Sequence, residues 1–280
     1  MKRILTVQDI SGVGKCSATV ALPVISAMGV ECAVMPTAVL STHTMFRGFT
    51  FCDLTAELPA MAKHWKEQAL RFDAIYTGYL GSFDQLAVVE RLFDDFRTES
   101  NLMVVDPVMG DNGKLYPGFS EEFALAMGKL CGKADLIVPN LTEACFMLGI
   151  PYLTSYTKEQ ICDLLRRLAA LGAPQVALTG IAFTEGKTGV AYYNASADSF
   201  YFYEHERMAQ SFHGTGDLFA STTVGGLMRG LSATEALTLA ADYTALTIKT
   251  TMEDPDHVDY GVSFELTVPT LVSELAKRLG

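Results

Sequence analysis

Short apolar runs of strand length alternate with stretches of helical periodicity along almost the whole chain, and each run ends in glycine, acid or hydroxyl residues. That alternation predicts βαβ units, and hence a mainly parallel sheet with helices packed on it. The strands read this way are Ile4 to Val7, Cys32 to Val39, Ala74 to Thr77, Leu102 to Val105, Leu136 to Val138 and Val176 to Leu178, with an antiparallel pair at Gly189 to Tyr193 and Phe200 to Tyr203. Helix signals lie between them. Thr157-Lys158-Glu159-Gln160 is a capping box followed by Ile161, Leu164, Leu165, Leu168 and Leu171 at helical spacing and closed by Gly172; Ser232-Ala233-Thr234-Glu235 opens another helix running to about Lys249.

With 280 residues and 49% hydrophobic content, the chain can bury a full core, and neither a linker nor an internal repeat divides it. One domain spanning residues 1–280 is expected. Six cysteines are scattered without a Cys-x-x-Cys pair, which suggests neither a zinc site nor a disulfide framework and fits a reducing cytoplasm. Met1-Lys2-Arg3 runs straight into a short strand, without the apolar stretch of a signal peptide, and no run approaches membrane-spanning length. The net charge of −11 disfavours nucleic acid, whose phosphate backbone needs a dense basic surface. A nucleotide remains open, provided that backbone N–H groups, one or two cations and a divalent metal hold its phosphates.

In parallel α/β sheets ligands bind at the carboxyl ends of the strands, so the residues directly after each run matter most. Here they are Gln8-Asp9-Ile10-Ser11-Gly12, Ser41-Thr42-His43-Thr44, Gly78-Tyr79-Leu80-Gly81-Ser82, Asp106-Pro107-Val108-Met109-Gly110-Asp111, Pro139-Asn140-Leu141-Thr142-Glu143 and Thr179-Gly180. Asp9, Asp106, Asp111 and Glu143 suit a hard cation such as Mg²⁺, which takes oxygen ligands and bridges phosphates. Each also has a plainer reading; Asn140 and Glu143 together form an ordinary helix start.

Phe212-His213-Gly214-Thr215-Gly216-Asp217 sets a carboxylate just inside a helix start, beside glycines. The first helical N–H groups lack intrahelical acceptors and favour an anion, while Asp217 stands ready as a base. The same position lowers a carboxylate pKa, so Asp217 is expected to be ionised at neutral pH. A capping acid in a loop is the competing reading. Two N-terminal patterns fail: a P-loop needs Gly at position 9 and Ser or Thr at 16, where Asp9 and Cys16 stand, and a dinucleotide fingerprint lacks its third glycine at Ser17 and its ribose acid after the second strand. A nicotinamide-dependent oxidoreductase is thus a weak rival.

The ordered set Ser41-Thr42-His43-Thr44, Thr77-Gly78-Tyr79-Leu80-Gly81-Ser82, Asp106-Pro107-Val108-Met109-Gly110-Asp111-Asn112-Gly113-Lys114-Leu115-Tyr116 and Gly214-Thr215-Gly216-Asp217 resembles the pyridoxal kinase family of the ribokinase-like superfamily. The resemblance covers essentially the whole chain. It implies a three-layer sandwich without a large lid domain, often homodimeric, that transfers the γ-phosphoryl of ATP to the 5′-hydroxymethyl of pyridoxal, pyridoxine or pyridoxamine. Asp217 would be the base, with Gly214, Thr215 and Gly216 stabilising charge on the phosphoryl group. Asp106 and Glu143 would hold Mg²⁺; Asp106, Val138, Glu143, Thr179, Gly214 and Gly216 would border ATP; Asp9, Ser11, Thr44, Tyr79 and Asp217 would meet the vitamer. His43 is expected to order its loop rather than act in the chemistry. The resemblance leaves room for a monovalent cation such as K⁺, and the segment from Tyr203 to Ser211 is expected to border the nucleotide. One departure stands out: Asp9 replaces a serine common in the family, and would accept a hydrogen bond from the ring hydroxyl or pair with the pyridoxamine amine. Hydroxymethylpyrimidine kinases of the same fold form the nearest rival, but they typically carry Cys at the position of Asp217 and lack the Gly110-Asp111 continuation.

Overall fold

A computed structural model describes residues 1–210 and 212–280. In chain order the elements are β1 (Arg3–Val13), α1 (Ala18–Ala27), β2 (Glu31–Thr42), β3 (Phe51–Asp53), α2 (Leu58–Glu67), β4 (Ala74–Thr77), α3 (Phe83–Phe96), β5 (Leu102–Val105), β6 (Gly110–Asp111), β7 (Lys114–Leu115) and α4 (Glu121–Cys131). They continue with β8 (Leu136–Ile137), α5 (Leu141–Met147), α6 (Lys158–Ala169), β9 (Gln175–Thr179), β10 (Lys187–Asn194), β11 (Ser199–Glu206), α7 (Thr215–Met228), α8 (Ala233–Glu253) and α9 (Phe264–Leu279). The main sheet runs in the order β11-β10-β9-β8-β5-β4-β1-β2-β3. Strands β2, β1, β4, β5, β8 and β9 are parallel; β3 at one edge and β10-β11 at the other pair antiparallel.

Period-two alternation sends the strand side chains to two apolar layers. Leu5, Val7, Ile75, Met103, Val105 and Ile137 pack under α2 to α6, whereas Ile4, Ala74, Tyr76, Val104 and Leu136 pack under α1, α7 and α8. Helix α9 closes against α1 and α8 through Phe264, Leu271 and Leu275. This is the three-layer sandwich expected from the sequence. The two capping boxes read at Thr157 and Ser232 are present and start α6 and α8.

Two departures bear on the site. β1 continues past Val7 to Val13, so Asp9 and Ser11 lie inside a strand rather than in the loop after it. Polar residues and a glycine make that half read as a turn, but it pairs with β2 through Ile10, Ser11 and Val13. A register shift falls between Gln8 and Ile10, which places Asp9 at a bulge; bulges of this kind re-aim a side chain beside active sites. The hairpin β6-β7 and the edge strand β3 were too short to show a period in the sequence.

Candidate active site

Gly214 is the residue before α7 and takes a left-handed conformation, φ 78°. A Cβ there would lie 2.0 Å from the Lys15 carbonyl oxygen, so the turn admits glycine only. Helix α7 then begins at Thr215, and Asp217 falls in its first turn, where amide N–H groups have no intrahelical acceptor and the helix dipole is positive. Thr215 ties the turn by donating its hydroxyl to the Phe212 carbonyl at 3.0 Å.

Asp217 Oδ2 accepts the Ser17 backbone N–H at 2.8 Å. Its other oxygen has no hydrogen-bond partner among the described residues. Burial pushes this carboxyl up to about 7; the Ser17 N–H opposes the rise and the charge of Asp9 adds to it. The expectation of a lowered pKa is therefore overturned. A helix start contributes partial charges worth a fraction of a unit to about one unit, and here desolvation and a like charge outweigh them.

Asp9 is buried, with Oδ1 accepting the Ser17 hydroxyl at 2.6 Å and Oδ2 the Ser11 hydroxyl at 2.9 Å. Burial raises its pKa, while the two serine hydroxyls and His43 pull the other way. Ser11 is thus turned toward Asp9. Tyr79 is half-buried, its ring 5.6 Å from that of Phe119, and burial together with the charge of Asp9 raises the phenol. Its hydroxyl has no partner among the described residues, unlike that of a satisfied core tyrosine. Thr44 is exposed on the loop after β2. That loop is pinned by His43, whose Nδ1 accepts the Met45 N–H at 3.0 Å while Nε2 lies 2.9 Å from the Tyr260 carbonyl. Nε2 therefore carries the proton and donates it, an ordering arrangement that leaves no ring nitrogen for acid–base work.

Asp106 and Glu143 are both buried. Glu143 sits in the first turn of α5 and completes a capping box with Asn140, accepting the Asn140 N–H at 2.8 Å and the Met109 N–H at 3.2 Å. The helix-start reading is therefore correct for this residue. It is incomplete, because burial and the charges of Glu143 and Asp217 raise Asp106 well above the usual range, and burial raises Glu143 too. The Asp106 carboxylate makes no hydrogen bond among the described residues. Buried acids whose charged forms are disfavoured suit a cation. Carboxylate oxygens are the donor type Mg²⁺ takes, and that ion usually completes its shell with water and substrate phosphate, so the chemistry of this pair is compatible with it.

The remaining nucleotide candidates divide. Thr179 ends β9 partly exposed, its hydroxyl 3.4 Å from the Pro139 carbonyl. The side chain of Val138 belongs to the apolar layer under α7 and α8, which leaves only its backbone for a ligand. Asp111 is exposed and its Oδ1 accepts the Asn112 N–H at 2.7 Å. Of the segment from Tyr203 onward, Ser211 lies outside the described residues. The residue missed from the sequence is Ser17, which touches both Asp9 and Asp217. It precedes α1 as a cap would, but its side chain makes no cap hydrogen bond, so composition gave no sign of its part.

The chain matches the phosphomethylpyrimidine kinase family over residues 21–260. A candidate pyridoxine kinase of Staphylococcus epidermidis is 34% identical over 183 residues; the match spans 63% of each chain, so it reaches less than two thirds of that relative's length. A candidate phosphomethylpyrimidine kinase from Bacteroides thetaiotaomicron, crystallised with pyridoxal, is 39% identical and superposes with a TM-score of 0.91 over 96% of this chain and 95% of that one. The pyridoxal kinase of Lactobacillus plantarum is 31% identical, with a TM-score of 0.90 over 98% and 97%. The family match covers most of the chain, and the chain belongs to the phosphomethylpyrimidine kinase family.

Proposed function

We propose that this chain transfers the γ-phosphoryl group of ATP to the 5′-hydroxymethyl of a B6 vitamer, with Asp217 as general base. The observation that carries the reading is Asp217 itself: one oxygen is held by the Ser17 N–H, the other is unpartnered among the described residues, and desolvation pushes the carboxyl up to about 7. A base of that pKa is matched to neutral pH. As the vitamer oxygen closes on phosphorus, Asp217 takes its proton, and the free amides of Thr215 and Gly216 face the charge that spreads over the phosphoryl oxygens. Asp106 and Glu143 would hold Mg²⁺, which would neutralise phosphate charge. Thr179 and the backbone of Val138 border the nucleotide; Asp9, Ser11, Thr44 and Tyr79 border the pyridine ring.

The vitamer is preferred over hydroxymethylpyrimidine for two reasons. The Bacteroides protein with 39% identity was crystallised with pyridoxal. Position 217 is Asp, where hydroxymethylpyrimidine kinases typically carry Cys, and Gly110-Asp111 extends into the β6-β7 hairpin. The continuous sheet supports one domain over residues 1–280. Six free thiols fit the reducing cytoplasm expected for the chain. The exposed apolar edge around β3 supports a homodimer.

Coupled ADP release, measured with Mg²⁺ and with or without K⁺ across pyridoxal, pyridoxine, pyridoxamine and hydroxymethylpyrimidine, tests the reading. Turnover of at least one vitamer is expected. Turnover of hydroxymethylpyrimidine alone would move the chain to the rival activity, and a thermal shift with NADH but not with ATP-Mg²⁺ would favour the oxidoreductase. Asp9→Ser in the same assay is expected to change the ranking of the vitamers.

A further inference from the structure

Between β1 and α1 the backbone does something that side-chain-bearing residues rarely do. Lys15 has φ 50° and Ser17 has φ 51° with ψ −134°. The Ser17 pair lies near a region populated almost only by glycine, and non-glycine residues persist there only where the surroundings over-determine them. Those surroundings are visible. Gly214 lets the Lys15 carbonyl come so close that a Cβ would be 2.0 Å from it, and a Cβ on Gly261 would meet the Lys15 Cβ at 2.6 Å. Lys15 Nζ is fixed on Glu265 at 2.8 Å. The Ser17 carbonyl accepts the N–H groups of Val20 and Ala21, both at 3.0 Å, so it starts α1.

The strained conformation serves one visible end. It aims the Ser17 N–H at Asp217 Oδ2, 2.8 Å away, while the hydroxyl of the same residue is tied to Asp9 Oδ1 at 2.6 Å. Asp9 is itself steadied by Ser11. An ordinary backbone at position 17 would swing the N–H away. Asp217 would then lose its only protein hydrogen bond among the described residues, and with it the constraint that leaves the other oxygen toward an incoming hydroxyl.

We infer that Ser17 is a positioning residue: its left-handed backbone, locked by the hydroxyl bond to Asp9, orients the Asp217 carboxylate for proton abstraction. The inference rests on the reading of Asp217 as the base. It gives Asp9 a part that is independent of any contact with the vitamer ring.

Three substitutions separate the possibilities. Ser17→Ala keeps the N–H but loses the hydroxyl lock while retaining the Cβ that opposes the conformation; kcat is expected to fall about tenfold, with KM for ATP and vitamer changed less than about twofold. Ser17→Gly also loses the hydroxyl, yet glycine adopts this backbone without a Cβ penalty, so kcat is expected to stay within about threefold of wild type. A hydroxyl needed only for packing would make both variants equally slow. Equal losses, or wild-type kcat in Ser17→Ala, overturn the inference. Should Ser17→Ala not fold, Ser17→Gly alone carries the test, and a tenfold loss of kcat at unchanged KM overturns it. Asp217→Asn, measured alongside, keeps the two readings apart: near-normal turnover there removes the base, whereas a dead Asp217→Asn with unaffected Ser17→Ala removes only the positioning role.

Discussion

At the scale of single residues, the chemistry proposed for this site turns on a carboxylate whose environment disfavours its charge. Asp217 rises from 3.8 to about 7 mainly because its partly buried carboxyl is desolvated. With Asp217 as the proposed base, its ionised form would be the active one, so kcat/KM is expected to climb about tenfold per unit below pH 7 and level off above it, as a pH series of initial rates would show. The stability effect has the opposite sign. The folded state binds this proton more tightly than the unfolded chain, so from about pH 4 to pH 7 stability declines as pH rises, and above pH 7 the full cost remains. A shift of about three units at about 1.4 kcal/mol each caps that cost near 4 kcal/mol. Asp217→Asn should therefore raise the melting temperature at pH 8 while cutting kcat by roughly 10²- to 10⁴-fold and sparing ATP binding. A variant both slower and less stable would mean that the carboxylate is a structural anchor. The local geometry at this scale was legible: Gly-x-Gly-Asp before an apolar run marked a tight turn with a carboxylate in the first turn of a helix. The pKa was not legible, since burial depends on chain segments 200 residues away, as the Ser17–Asp217 bond illustrates.

Among elements, the start of α5 shows how one residue serves two ends. The Asn140–Glu143 capping box satisfies helix amides, and Glu143 also accepts the Met109 N–H from the segment after β5, tying two strand ends together. Because glutamine can occupy the same capping position, Glu143→Gln should keep α5 in place, with a melting temperature within a few degrees of wild type. It removes the charge, so the Mg²⁺ concentration for half-maximal rate should rise severalfold. An unchanged Mg²⁺ dependence with a marked loss of stability would reduce Glu143 to a cap. The capping box itself is local and was visible as Asn-x-x-Glu. Asp106 and Glu143 were both expected at strand ends lining one cleft, but that β5 and β8 are direct neighbours is a pairing no local pattern shows. The same limit hid the second half of β1, whose partner residues 39–42 lie in β2 and whose polar content resembles a turn.

For the whole molecule, the unresolved demand of the fold is its β3 edge. The sheet ends in a three-residue strand that is exposed throughout, and apolar side chains gather there: Val39 on β2, Met45 and Phe49 on the connecting loop, and Phe51, which is 55% exposed. Unpaired strand edges with apolar neighbours invite pairing with another chain, and natural proteins blunt or cover them. A two-fold pairing of this edge with its copy would cover the patch with a self-complementary surface and would bring the loop carrying Thr44 under the partner. Net charge of −11 opposes close approach of two copies, so the contact must rest on apolar burial and strengthen with salt. Sedimentation velocity at micromolar concentration should accordingly show a dimer that tightens between low and moderate salt. Phe51→Asp places two extra charges across the proposed axis and should yield a folded monomer with a raised KM for the vitamer, because the loop from His43 to Thr50 loses its cover, while KM for ATP stays unchanged. A wild-type monomer at every concentration, or a Phe51→Asp protein that still dimerises, would show that the exposed edge has some other occupant.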